Sequence, residues 1–155
     1  MAKKTAFLSL LLAALAMAPE LAHLLEMYHK MQLTQESYGV VQFIYRGWAF
    51  LGVLQVGAVI STGILLFLML PKGGRAFKVT MAAFICLILP LIIFFVVIFP
   101  VNVATQNWAI LPETWKQLRN EWEYAHAVNA LFAITAFVLL LMGLHLRSQD
   151  DDGAL

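Results

Sequence analysis

Apolar residues fall in four long stretches instead of the one-faced or alternating patterns of a soluble domain. Trp48 to Leu70 holds no charged residue, nor does Val79 to Val101, and Ala125 to Leu144 is interrupted by His126 and Asn129. A helix rises about 1.5 Å per residue and the hydrocarbon core is about 30 Å thick, so about 20 such residues cross it. The first stretch begins at Thr5 and is free of charge only as far as Glu20. It spans if Glu20, His23 and Glu26 enter the membrane sheltered by protein. The pattern predicts an all-α fold: an integral membrane bundle of four transmembrane helices, one domain over 1–155 with spans at about 5–28, 45–70, 78–100 and 122–146.

Punctuation between the stretches supports this division. Pro71-Lys72-Gly73-Gly74 breaks the chain after the second span, and Thr34 with Glu36 and Ser37 marks a helix start, so the second helix is expected to begin well before the membrane. Pro90 inside the third span predicts a kink whose freed carbonyls are re-satisfied by neighbouring helices or polar side chains, and the helix is expected to stop irregularly near Pro100. Asn102 to Arg119 reads as an amphipathic connection at the interface, and Asp150-Asp151-Asp152 as a solvated end. Lys3 and Lys4 before an apolar run reaching Ala16-Met17-Ala18 also have the layout of a secretory signal. Pro19 directly after that site and the apolar face continuing through Leu21, Leu24 and Leu25 favour an uncleaved first helix.

Composition agrees: 62% of the 155 residues are hydrophobic and 12% charged, against roughly a quarter charged in a soluble domain. A net charge of +1 with no basic stripe argues against nucleic acid as a partner and leaves the lipid bilayer. Cys86 is the single cysteine and reads as a small hydrophobe. Positive charges orient the bundle. Lys3, Lys4, Lys72, Arg75, Lys78 and Arg147 fall on one side and Lys30, Arg46, Lys116 and Arg119 on the other, which places both termini in the cytoplasm of a bacterial-type inner membrane.

With that topology the ionisable residues of the first and fourth helices gather in the outer half. Glu20, His23 and Glu26 recur every three residues on the first helix, and Glu123 and His126 repeat the spacing on the fourth. Each step turns about 300°, so the first three lie within about 120° of one face. Two Glu-x-x-His segments are the arrangement that presents metal ligands in carboxylate-bridged bundles, although the second and third spans offer no further Glu at this depth. Three readings stand: a single transition metal held by Glu20, His23, Glu123 and His126, a metal-free acid–base or substrate pocket, or charges paired in a wet vestibule. His29 reads as an ordinary solvated histidine, and His145 lies at the opposite end of the fourth helix. Trp48, Trp108, Trp115 and Trp122 all fall on the outer side, as interfacial anchors or as the roof of an aromatic-substrate pocket. Gly47, Gly52 and Gly57 are read as sites of close helix packing.

Pro100-Val-Asn102 and Trp115-Lys-Gln-Leu-Arg119-Asn-Glu-Trp122-Glu-Tyr-Ala-His126-Ala-Val-Asn129 resemble the anthrone oxygenase-like family of small four-helix membrane proteins. Glu20-Leu-Ala-His23 and Val41-Gln42-Phe-Ile-Tyr45-Arg46-Gly-Trp48 add weaker support, and the likeness covers about half the chain. The family usually has Arg where Asn129 stands here. The resemblance implies oxidation of anthrones to anthraquinones by oxygen without an evident cofactor. It would make His126 or His23 the base, with Asn102 and Arg119 as oxyanion partners.

Two classes of function follow. One is an oxygenase or oxidoreductase on a hydrophobic aromatic substrate entering from the bilayer, with His23, Glu123 and His126 central. The other is a non-enzymatic membrane subunit or small-molecule binding module. A transporter is disfavoured, since the inner half offers only Gln55, Ser61, Thr62, Thr80 and Thr135 as modest polar groups.

Overall fold

The computed structural model describes residues 2–152, with side chains over 2–149, so the side chains of the acidic tail at Asp150 to Asp152 lie outside the described residues. Four helices are long and apolar enough to cross a membrane: Ala2–Lys30, Trp48–Met69, Gly74–Ala104 and Trp115–Gln149. The protein is a four-helix membrane protein, all-α as its apolar pattern predicts. Helix α1 (Ala2–Lys30) packs on α3 (Gly52–Met69) and on α6 (Trp115–Asp152), and α6 packs on α4 (Gly74–Ile93), which completes the ring against α3. Consecutive spans are therefore neighbours, as short connections require.

The interior is built from small side chains. Ala13, Ala58, Ala83 and Ala136 are buried at the centre together with Leu87 and Leu140, whereas Phe7, Phe67 and Phe95 are 67%, 71% and 65% exposed. Lipid tails are as apolar as leucine, so large side chains gain nothing by turning inward, while small ones let backbones approach and make dispersion contacts. The closest approach is at Gly143, where an added Cβ would lie 2.7 Å from Thr80 Oγ1. Of the three glycines read as packing sites, only Gly57 has a neighbour, Leu12 at 3.3 Å from a Cβ. Gly47 meets nothing but has φ +85°, a left-handed turn that costs other residues roughly 1–2 kcal/mol.

That turn changes the second helix. Thr34 does cap a helix, its side chain accepting from the Ser37 N–H, but this helix, α2 (Gln35–Gln42), is short and separate. Short 3-10 turns and Gly47 re-aim the chain, and the span starts afresh at Trp48. A continuous helix entering the membrane is thus replaced by a surface helix and a sharp corner.

The third span also departs from the expected stop at Pro100. It passes through a π-helical turn (Phe94–Ile98) into α5 (Phe99–Ala104). The Phe99 N–H reaches back to Phe94 O, and this widened turn gives the following proline ring room without ending the helix. At Pro90 the α-helix runs on through Gly74–Ile93, and Gln55 of α3 donates to Leu87 O at 2.6 Å, one residue past the Cys86 carbonyl that the proline leaves without its own-helix donor. Gln55→Leu should remove this bond between α3 and α4 and cost about 0.5–1.5 kcal/mol, read as a lower unfolding midpoint in detergent. An unchanged midpoint would show that the carbonyl is satisfied within its own helix.

Candidate functional site

At the end of the bundle that carries Glu20 and His126 the spans enclose a cavity of about 690 Å³, within the size range of small-molecule sites. Pro19, Glu20 and His23 of α1, Trp122, His126 and Asn129 of α6, and Phe94, Phe95 and Ile98 of the π turn form its walls. Trp48, Leu51 and Gln55 close the side toward the second span. Over it lies a turn in which Gln106, Asn107 and Trp108 have φ of 51°, 54° and 64°. Three successive left-handed residues with side chains are strained, since Cβ crowds the next carbonyl. Local hydrogen bonds hold them: Asn107 N–H donates to Asn102 O at 2.7 Å and Trp108 N–H to Thr105 Oγ1 at 3.1 Å.

Glu20 and His126, on different helices, meet at 2.9 Å between the carboxylate and Nδ1. His126 is 8% exposed, and among the described residues its Nε2 has no hydrogen-bond partner. His23 lies against it, ring centroids 4.2 Å apart and 35° between planes. The Glu-x-x-His faces of α1 and α6 therefore converge. Tyr45, Trp48 and Trp122 surround the His23 ring at 4.4, 5.6 and 4.8 Å. Three of the four tryptophans are buried in protein, Trp108 at 5%, Trp115 at 7% and Trp122 at 4% exposed, so membrane anchoring does not describe them. Trp48, Trp108 and Trp122 line the cavity instead, while Trp115 packs on Tyr38.

Glu123 turns away from the histidines. Its side chain is fully buried, with one carboxylate oxygen 2.9 Å from Lys30 Nζ and the other accepting from the Tyr38 hydroxyl at 3.0 Å. Lys30 also lies 3.3 Å from His23 Nδ1, 4.0 Å from Glu26 and 5.3 Å from the Trp122 ring centre. Burial first, then the adjacent Glu123 charge, keep the Tyr38 phenol protonated, far above the ordinary tyrosine range. The four residues read as a metal set thus divide into a Glu20–His126 pair, a His23 held by Lys30, and a Glu123 committed to Lys30 and Tyr38. Among the described residues no three of His, Cys, Asp and Glu are grouped to hold an ion.

Arg119 is placed away from the cavity. Its guanidinium donates to Leu33 O at 3.2 Å and stacks over Trp115, 4.8 Å from the ring centre, bracing the turn after α1. Asn102 does line the cavity, with Oδ1 accepting from Trp122 Nε1 at 3.0 Å and its amide N–H groups left to donate. His29 is exposed against Tyr28, and His145 is exposed at the far end, as their positions predict.

Several participants escaped the sequence. Lys30, counted from the sequence only among the charges that orient the bundle, is 3% exposed; its one sequence signal is a spacing of seven from His23, which places both on one face. Tyr38 and the left-handed turn carry no such signal. Trp108 Nε1 and Asn129 Oδ1 are buried, line the cavity and have no hydrogen-bond partner among the described residues. Buried polar atoms are seldom left so, and these two can be met by a ligand or by water in the cavity.

The chain matches no family model, no curated protein and no solved structure.

Proposed function

We propose that the protein is an oxygenase or oxidoreductase of the anthrone oxygenase-like kind, acting on a hydrophobic aromatic substrate in the outer cavity. The observation that carries the reading is the Glu20–His126 pair at 2.9 Å on the wall of an aromatic-lined cavity. With Glu20 as carboxylate, Nδ1–H of His126 donates to it and Nε2 keeps its lone pair, the arrangement that orients a histidine base. Phe95 and Leu51 line the cavity and are 65% and 36% exposed on the bundle surface, so a lipophilic substrate has a path in from the bilayer between the second and third spans.

The reaction that fits is oxidation of an activated methylene. His126 removes a C–H proton and leaves a carbanion delocalised over the aromatic rings. Oxygen adds to the carbanion, and the resulting hydroperoxide loses water to give a carbonyl, so that CH₂ and O₂ become C=O and H₂O. Asn102 also lines the cavity, which supports its amide as the donor to a developing oxyanion. The carbanion itself supplies the electrons that oxygen takes up, so the reading requires no bound metal. Both termini lie in the cytoplasm on this reading, with the cavity near the outer face.

The test is oxygen uptake by the purified protein in nanodiscs on addition of an anthrone. Uptake of one O₂ per quinone formed, above the rate of protein-free nanodiscs, is the expected result. Saturable binding of the anthrone with no uptake would replace the enzyme by a binding module, to which the unpartnered Trp108 and Asn129 atoms lend their own support.

A further inference from the structure

The two imidazoles in the cavity wall are held by partners of opposite character. An ammonium carries only donors, and Lys30 Nζ lies 3.3 Å from His23 Nδ1. The Glu123 carboxylate lies 2.9 Å from the same nitrogen, the pairing of an ammonium with a carboxylate. His23 Nδ1 must then be the acceptor, and the one proton of a neutral ring sits on Nε2. Across a centroid distance of 4.2 Å the reverse holds, because a carboxylate offers only acceptors and His126 Nδ1 donates to Glu20 at 2.9 Å. We propose that Lys30 is a positioning residue that locks His23 as its Nε2–H tautomer, so that His23 and His126 present a donor and an acceptor side by side to a carbonyl compound with an acidic hydrogen.

Neither Nε2 atom has a protein hydrogen bond among the described residues, and both rings line the cavity. Two rings of one tautomer would offer a ligand two acceptors or two donors. The mixed pair matches an enolisable carbonyl: the C–H proton goes to His126 Nε2, the C–H electron pair becomes the C=C bond as the carbonyl π pair moves onto oxygen, and that oxygen accepts a hydrogen bond from the His23 Nε2–H. Glu20 balances the charge that His126 acquires, while His23 stays neutral and only donates. Neutral imidazole serves as such an electrophile elsewhere in enzyme chemistry. Trp122 packs edge-on to His23 at 4.8 Å and to His126 at 4.3 Å between centroids, which limits rotation of either ring.

This rests on His126 being the base, yet the tautomers are measurable without turnover. The experiment is ring-nitrogen NMR of the full chain, histidine-labelled with ¹⁵N, in detergent micelles at neutral pH, with His29→Gln and His145→Gln simplifying the assignment. Expected are a His23 with a protonated Nε2 and lone-pair Nδ1, and a His126 with the opposite pattern. In Lys30→Met/Glu123→Gln, which removes both charges of the pair and keeps an acceptor for Tyr38, His23 should lose its single tautomer and show averaged nitrogens, with His126 unchanged. A wild-type His23 protonated on Nδ1 or on both nitrogens overturns the proposal, as does a His23 whose tautomer survives the double substitution. Correct tautomers in a protein that takes up no oxygen would uphold it and sink the oxygenase reading instead.

Discussion

Lys30→Met should destabilise the protein by about 3–5 kcal/mol, the largest effect expected of any single substitution outside the small-residue core, because it strands a buried carboxylate. Glu123 is 1% exposed and, among the described residues, forms an ion pair with Lys30 alone, while the Tyr38 hydroxyl that it accepts from is itself fully buried. Unfolding midpoints in one detergent check the size of the loss. The double variant Lys30→Met/Glu123→Gln should recover most of it, since removing both charges of a buried pair is often close to neutral. Failure of the double variant to recover would assign the cost to lost packing of the lysine stem on Tyr45 and Trp122, whose ring centres are 4.9 and 5.3 Å from Nζ. The pair also explains how a charged residue ends a membrane helix without snorkelling: its partners are supplied by α6, by α1 itself and by the 3-10 turn that carries Tyr45.

His126→Ala should lower anthrone-dependent oxygen uptake by about 10²–10⁴, the span that a positioned general base contributes. Substrate affinity should change much less, because Phe94, Phe95, Trp48 and Trp122 make up most of the apolar wall. Glu20→Gln should have the smaller effect, since a glutamine oxygen still accepts from Nδ1 and preserves the orientation, though not the balancing charge. Rates and affinities measured on all three proteins in nanodiscs separate these outcomes. Undiminished uptake in His126→Ala would remove the histidine from the chemistry, and loss of binding without loss of rate would make it a contact residue.

Much of the fold is legible because the membrane imposes it. Uncharged runs of about 20 residues admit few structures in hydrocarbon, where every backbone group must be satisfied within its own segment. The same reasoning located Glu20, His23, Glu123 and His126, since intramembrane ionisable residues are costly wherever they stand. The corner at Gly47 was not legible as a corner, because a glycine beside an apolar run signals close packing and a left-handed turn equally well. Nor was the continuation through Pro100, which depends on a π turn whose residues, Phe94 to Ile98, look like any apolar helix.

The number of spans and the grouping of ionisable residues on one face each of α1 and α6 follow from the amino-acid sequence alone, because helical periodicity and the cost of charge in hydrocarbon are local properties. Tertiary structure decided the partners: Glu20 with His126, Glu123 with Lys30 and Tyr38, Arg119 with the turn after α1 and away from the cavity. The physical reason is that each partnership joins residues 85 to 106 positions apart in the chain, or meets through a rotation between helices that no local pattern encodes. Spacing along one helix says which side chains share a face, and only packing says what that face meets.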